Sequence, residues 1–198
     1  ALGIDATAVT LVPSDQKGNP LQNAILWMDK RAQSETEEIN RTGYQGLTYT
    51  GGSVSPEWAI PKIMWLKRNH PKVYASAAYL VDLVDWLIFQ LTEWTYVSQL
   101  DGWDEEFLTE LGIKDLVHKI PPVRSPMGRV VGRLQSELAS CMNLKTDIPV
   151  VTAGMDSYAA GVGLGVTLRG RMAFSLGTSS CYLMQCTKPV QAQGLFGP

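Results

Sequence analysis

The sequence predicts an α/β fold with a mixed or parallel sheet, and three observations carry that prediction. Short runs of β-prone apolar residues alternate with helical patterns along the chain. Two of those runs, residues 148–153 and 172–176, end in glycine-containing turns, where α/β sheets place their ligands. At 198 residues, 45% of them apolar and 18% charged, the chain can bury one sizeable core or two small ones.

Residues 1–6 read as a strand ending on Asp5, with 9–12 as its hairpin partner and 14–19 as a polar turn around Gly18. Residues 24–28 form another short apolar strand, whose end is abruptly charged: Asp29, Lys30, Arg31. A helix over 32–42 follows and stops at Gly43. Residues 51–55 are a turn, and Ser55 caps a helix that opens on Pro56, runs to about Asn69 and carries Lys62. Residues 79–91 predict a second, apolar helix interrupted by Asp82 and Asp85, and 103–111 a third, closed by Gly112. Pro121, Pro122 and Pro126 mark an extended connector, and 130–138 hold a further short element. The strand at 148–153 then leads into a small-residue helix over 157–164, and 172–176 is the last strand.

Composition narrows the function. Seventeen basic and 19 acidic residues leave a net charge of −2, and no Lys/Arg run forms a nucleic-acid or membrane-surface stripe. The longest apolar stretches, 24–28 and 77–81, are far too short to span a bilayer, and no signal peptide is visible. The chain opens on Ala1, so its true start is expected upstream. Cys141, Cys181 and Cys186 lack metal-ligand spacing, His70 and His118 stand apart from them, and no G-x-S-x-G elbow is present. Buried, reduced thiols in a cytoplasmic protein are the expectation.

Two segments carry chemistry. Asp156 stands just past the 148–153 strand, where it is either the N-cap of the next helix or a proton acceptor facing a ligand. Gly177, Thr178 and Ser179 follow the last strand, and a glycine with hydroxyls and N–H groups behind it is a good anion cradle, though such turns are common. Asp29 is a helix cap or an acceptor of hydroxyl protons, and Arg31 a solvated first-turn residue or a donor fork for a polyhydroxylated ligand. Lys62 by itself reads as a surface lysine.

In order along nearly the whole chain, these pieces resemble the FGGY family of carbohydrate kinases. The matching residues are Gly3-Ile4-Asp5-Ala6-Thr7, Ile25-Leu26-Trp27-Met28-Asp29-Lys30-Arg31-Ala32, Ser55-Pro56-Glu57-Trp58 with Pro61-Lys62, Ala153-Gly154-Met155-Asp156-Ser157, and Ser175-Leu176-Gly177-Thr178-Ser179. The region around 55–65 and the closing Lys188-Pro189 and Gly194-Leu195-Phe196-Gly197-Pro198 look most like the pentulose, ribulose-type kinases. The resemblance implies an actin/ribonuclease-H-like fold, with a mixed sheet flanked by helices and incomplete in this chain. On that basis residues 1–186 are most of the sugar-binding N-terminal domain, and 187–198 begin the connection to a second domain. It implies Asp156 as general base, with Asp29, Arg31, Lys62 and the turn at Asp5 and Thr7 lining the sugar pocket. Gly177, Thr178 and Ser179 would cradle the transferring phosphate of ATP.

The chemistry of ATP phosphoryl transfer implies Mg²⁺ on the phosphates, with no dedicated protein metal site. The expected partner is a small-molecule sugar, with no nucleic acid or membrane involved and a homodimer as the candidate assembly. The family's first phosphate loop is expected before Ala1 and its second domain after Pro198. Near Gln99 and Leu100 the chain is shorter than similar kinases lead one to expect. The implied activity is phosphorylation of a ketopentose such as ribulose. Xylulose, glycerol or erythritol kinases share the skeleton, and a non-catalytic sugar-binding or regulatory module is the rival of another class.

Overall fold

The computed structural model describes residues 1–92, 104–121, 125–177, 180–188 and 190–195. Strands β1 (Leu2–Ala6) and β2 (Leu11–Ser14) are followed by a long loop, helix α1 (Gln33–Arg41) and the helix pair α2 (Ala59–Asn69) and α3 (Pro71–Ser76). Strand β3 (Tyr79–Asp82) passes directly into α4 (Leu83–Thr92), and α5 (Glu105–Glu110), β4 (Val130–Arg133) and α6 (Ser136–Cys141) come next. Strand β5 (Pro149–Met155), helix α7 (Asp156–Gly163) and the antiparallel pair β6 (Met172–Leu176) and β7 (Ser180–Met184) complete the described fold. Among the described residues, no helix is long and apolar enough to cross a membrane.

The central sheet is mixed, in the order β1-β5-β4. β1 runs parallel to β5, and β4 runs antiparallel to β5 on its other side. β2 and β3 form a second, antiparallel ladder with Leu11 opposite Asp82 and Ser14 opposite Tyr79. The largest core cluster lies between that ladder and the helices: Leu11, Ile25, Ile39, Ile63, Met64, Leu66, Leu80 and Phe107 are all at most 1% exposed. α2 supplies Ile60, Ile63, Met64 and Leu66 to it, spaced by three or four as one helix face requires.

Several expectations are corrected. Residues 9–12 do not return as a hairpin on β1: the chain turns at Val9, whose φ is +55°, and β2 pairs with β3 instead. All four β2 residues are buried, with Leu11 and Val12 set in the hydrophobic core. Residues 24–28 form one bridge, Ile25 to Leu11, and then a turn in which Asp29 N–H donates to Leu26 C=O at 3.1 Å. Residues 79–91 are not one helix. Tyr79, Leu80 and Val81 extend the β2 ladder, and Asp82 then accepts the N–H of Leu83 at 2.8 Å, ending the strand and opening α4. α2 starts at Ala59 rather than at Pro56, because residues 55–58 close a separate turn through Trp58 N–H to Ser55 C=O. Asp156 is the first residue of α7, not its cap. The cysteines are not buried: Cys141 and Cys186 are exposed and Cys181 is half-buried. Helix α1, its stop at Gly43 (φ +67°), β1, β5 and β6 lie where they were expected, and β7 was not foreseen.

Candidate active site

The carboxyl end of β5 opens into a cleft of about 520 Å³. Its walls are Thr7 and Val9 from the turn after β1, Trp27 from the loop before α1, Asp156 and Ser157 at the start of α7, and Ser175 and Cys181 from the β6–β7 pair. Two other hollows, of about 420 and 590 Å³, border Ala77 and Ala78 and contain none of the candidate residues. The β5 cleft is therefore the one in which a strand-end acid meets the chain's candidate ligand groups.

Local geometry explains how Asp156 arrives there. Ile4 pairs with Thr152 but Asp5 pairs with Gly154, so β5 carries one extra residue opposite β1. Gly154 takes φ +82°, a left-handed conformation that suits glycine, and a Cβ there would meet the Met127 sulfur at 2.9 Å. Just past this bulge, the exposed Asp156 accepts the Ser157 N–H at 2.7 Å through Oδ1. Its other oxygen meets no hydrogen-bond donor among the described residues, which suits a carboxylate that meets a ligand hydroxyl.

Asp29 and Arg31 engage each other. Arg31 Nε donates to both carboxylate oxygens at 2.9 Å, Nη2 donates to Oδ2 at 2.6 Å, and the Arg31 backbone N–H adds a bond at 3.0 Å. The Arg31 guanidinium beside Asp29 holds its carboxyl below the usual carboxylate range, and the same pairing raises Arg31. The guanidinium also lies over the Trp65 ring, 4.7 Å from its centroid. The pair stands on the outer part of the loop that carries Trp27, outside the cleft lining itself.

Lys62 lies elsewhere than a surface lysine would. It is 0% exposed, and its ammonium donates to the carbonyls of Val9 (2.9 Å), Leu26 (2.6 Å) and Trp27 (3.2 Å). Those three bonds use all three of its donors. Asp29, Arg31 and Lys62 thus gather at one loop, with the lysine beneath it and the other two above. Thr7 is on the cleft wall and bonds Thr10 through its hydroxyl at 3.0 Å, whereas Asp5 is exposed on β1 and does not line the cleft. Gly177 is exposed just past β6, and Thr178 and Ser179 lie outside the described residues, as do Gln99 and Leu100.

Four contributors were not assigned from the sequence: Val9, Trp27, Ser175 and Asp82, the last 3% exposed behind the cleft. A carboxylate breaking the apolar run 79–91 was the available signal for Asp82. Among the described residues, no group of three or more His, Cys, Asp or Glu is placed to hold a metal ion. The cleft's oxygen donors, Asp156 with the Ser157 and Ser175 hydroxyls, suit Mg²⁺ carried in on substrate phosphates, which keeps most of its ligands from phosphate and water.

Known proteins point the same way. An "FGGY carbohydrate kinase domain-containing protein" of Xenopus laevis is 33% identical over 237 aligned residues, covering 100% of this chain and 43% of that protein. A ribulokinase of Staphylococcus aureus is 30% identical over 225 residues, covering 99% of this chain and 41% of that protein. The crystal structure of a xylulose kinase from Rhodospirillum rubrum superposes with a TM-score of 0.72 at 26% identity, over 92% of this chain and 41% of that one. The chain therefore spans less than half the length of the relatives it matches, and shares the actin/ribonuclease-H-like fold of these sugar kinases. The model of the FGGY family of carbohydrate kinases, N-terminal domain, matches residues 1–163. With that model matching most of the chain and a strand-end acid set in a cleft, the chain belongs to the FGGY family of carbohydrate kinases.

Proposed function

We propose that the protein carrying this chain is an ATP-dependent kinase that phosphorylates a primary hydroxyl of a ketopentose such as ribulose. The observation that carries the reading is the exposed Asp156 carboxylate at the carboxyl end of β5, in a cleft walled by Thr7 and Trp27. The acceptor hydroxyl oxygen bonds to the γ-phosphorus of ATP, the bond from that phosphorus to the ADP oxygen breaks, and the hydroxyl proton passes to Asp156. General-base help of this kind is worth about 10²–10⁴-fold, and positioning with charge neutralisation supplies much of the rest. Mg²⁺, when bound with the nucleotide, neutralises the phosphate oxygens.

Asp29 and Arg31 are proposed to hold sugar oxygens at the mouth of the Trp27 loop. Thr7 would add a hydroxyl from the wall, and the exposed Asp5 would help only where the sugar reaches past that turn. Gly177, with Thr178 and Ser179, is proposed to cradle the transferring phosphate. Residues 1–186 are read as most of the sugar-binding domain and 187–198 as the start of a connection to a second one; the N-terminal-domain model matches residues 1–163 of that stretch. The cytoplasm is the proposed location, since ATP is found there and free cysteines persist there. A homodimer stays the proposed assembly.

Ribulose is favoured over xylulose by the residues around 55–65 and the closing Lys188-Pro189 segment, which look most like ribulose-type kinases, and a ribulokinase stands among the relatives at 30% identity. An assay of ADP formation by the full-length protein, run across ketopentoses, glycerol and erythritol, tests this. Fastest turnover on ribulose supports the proposal, and fastest turnover on another acceptor moves the substrate to it. Sugar binding with no turnover on any acceptor would instead mark a regulatory module.

A further inference from the structure

Behind the cleft, three side chains hold two of its wall residues by the backbone. Val9 donates its N–H to Asp82 Oδ2 at 2.8 Å, and its carbonyl accepts from Lys62 Nζ at 2.9 Å. Trp27 donates its N–H to Thr10 Oγ1 at 3.1 Å, and its carbonyl accepts from the same Lys62 Nζ at 3.2 Å. Thr10 is itself anchored, since its N–H donates to Asp82 Oδ1 at 3.1 Å and its hydroxyl bonds the Thr7 hydroxyl at 3.0 Å. Both polar backbone groups of both wall residues are therefore held by side chains that do not line the cleft, and Lys62 touches both. The segments joined this way are 17 or more residues apart in sequence, and α2 and β3 supply the two charges.

We propose that Lys62 and Asp82, acting with Thr10, are positioning residues that lock the Val9 turn to the Trp27 loop and so fix the width of the sugar side of the cleft. Packing alone does not explain them. Lys62, Asp82 and Thr10 are 0%, 3% and 1% exposed, and burying an ammonium and a carboxylate is costly unless every donor and acceptor is used. Here the charges are spent on backbone groups of a turn that needs holding: Val9 is β-branched and sits at φ +55°, a conformation that persists only when its surroundings impose it. A methionine on α2 and an aliphatic residue at the end of β3 would fill the same space without placing Val9 or Trp27. The proposal rests on the kinase reading for what enters the cleft, but the lock itself is a property of the fold.

The test uses the full-length protein with Lys62→Met, Asp82→Asn and the milder Thr10→Val, which removes one hydroxyl and no charge. Amide hydrogen exchange is followed by mass spectrometry in peptides covering 7–11 and 25–29, and KM is measured separately for the sugar and for ATP. The lock predicts that each variant speeds exchange in both peptides together, by about tenfold or more, while peptides from the core of α2 stay protected. It also predicts a sugar KM raised on the order of tenfold with the ATP KM within about twofold, since small displacements of positioning groups cost rate and affinity steeply. Exchange that rises only beside the substituted residue, or everywhere at once, overturns the proposal. So do sugar and ATP KM values that rise together, or a sugar KM that does not move. If Lys62→Met does not fold, Thr10→Val carries the same two readouts. If the wild type phosphorylates no acceptor, the kinase reading fails and the coupled exchange of the two peptides decides the lock by itself.

Discussion

Burial pushes the Asp82 carboxyl up to about 6, although Val9, Leu83 and Thr10 donate N–H groups to it and the Lys62 ammonium favours its charged form. Unfolded, it would ionise near 3.8. Between those values the folded chain keeps a proton that the unfolded chain has lost, so stability from this group falls as pH rises through the window. Burial pushes Lys62 the other way, down from 10.5 to about 8, against the pull of Asp29 and Asp82. Above about 8 the unfolded chain holds a proton that the folded one has lost, so stability from Lys62 rises with pH up to 10.5. Melting curves taken from pH 4 upward should show both slopes, each on the order of 3 kcal/mol over its window. Asp82→Asn should abolish the acid slope and widen the alkaline one, and Lys62→Met should abolish the alkaline slope and widen the acid one, because each charge favours the ionised form of the other. At neutral pH both groups are charged, the state in which they hold the Val9 turn. Neither residue's burial was legible in its local pattern, and only the family resemblance singled out Lys62. A lysine on an amphipathic helix is ordinarily at the surface, and only the meeting of three carbonyls from Val9, Leu26 and Trp27 draws Lys62 inside. Asp156 was legible because a β-prone run and a glycine announced a strand end there, and strand ends are where such sheets bind.

Among the elements, β5 does most to place the chemistry. Its extra residue and the left-handed Gly154 set the direction in which the chain leaves the sheet, two residues before Asp156. Gly154→Ala forces a side chain into φ +82° and against Met127, and should cost on the order of 1–3 kcal/mol. A lower melting temperature with a kcat that falls further than the sugar KM rises would be the expected pattern in the full-length protein. An unchanged melting temperature would show that the bulge relaxes freely. β5, α1, the C-terminal half of α2 and α7 were readable because local pattern fixes them, whereas β2 and β3 were not. Their partners are almost 70 residues apart, and Tyr79-Leu80-Val81 runs into an apolar helix with nothing local to divide them until Asp82 bonds the turn at Val9 and Thr10.

At the scale of the whole molecule, one face of the β6–β7 pair is open. Met172, Phe174 and Leu176 on one strand and Tyr182 and Met184 on the other share it, and each is at least 45% exposed, Leu176 reaching 77%. Exposed apolar patches of this kind promote association, so residues 1–198 by themselves should form concentration-dependent oligomers in light scattering. They should also fail to phosphorylate any sugar, because phosphoryl transfer needs the nucleotide held as well as the acceptor, and the chain spans less than half of its relatives. A monodisperse, active fragment would contradict both expectations. The fold class was legible because alternating strands and helices are a local signal. How the three sheets meet around the cleft was not, since that depends on contacts between distant segments.

If Asp156 takes the proton from the sugar hydroxyl, as proposed above, Asp156→Asn in the full-length protein removes that transfer and little else. Asn keeps the volume and can still accept the Ser157 N–H, but it cannot accept the hydroxyl proton. With Asp156 as the base, kcat for sugar phosphorylation in this variant falls by about 10²-fold or more, while the sugar KM and the melting temperature hardly move. Near-normal turnover by Asp156→Asn would contradict it, and would leave Asp156 as a residue that only steadies the start of α7.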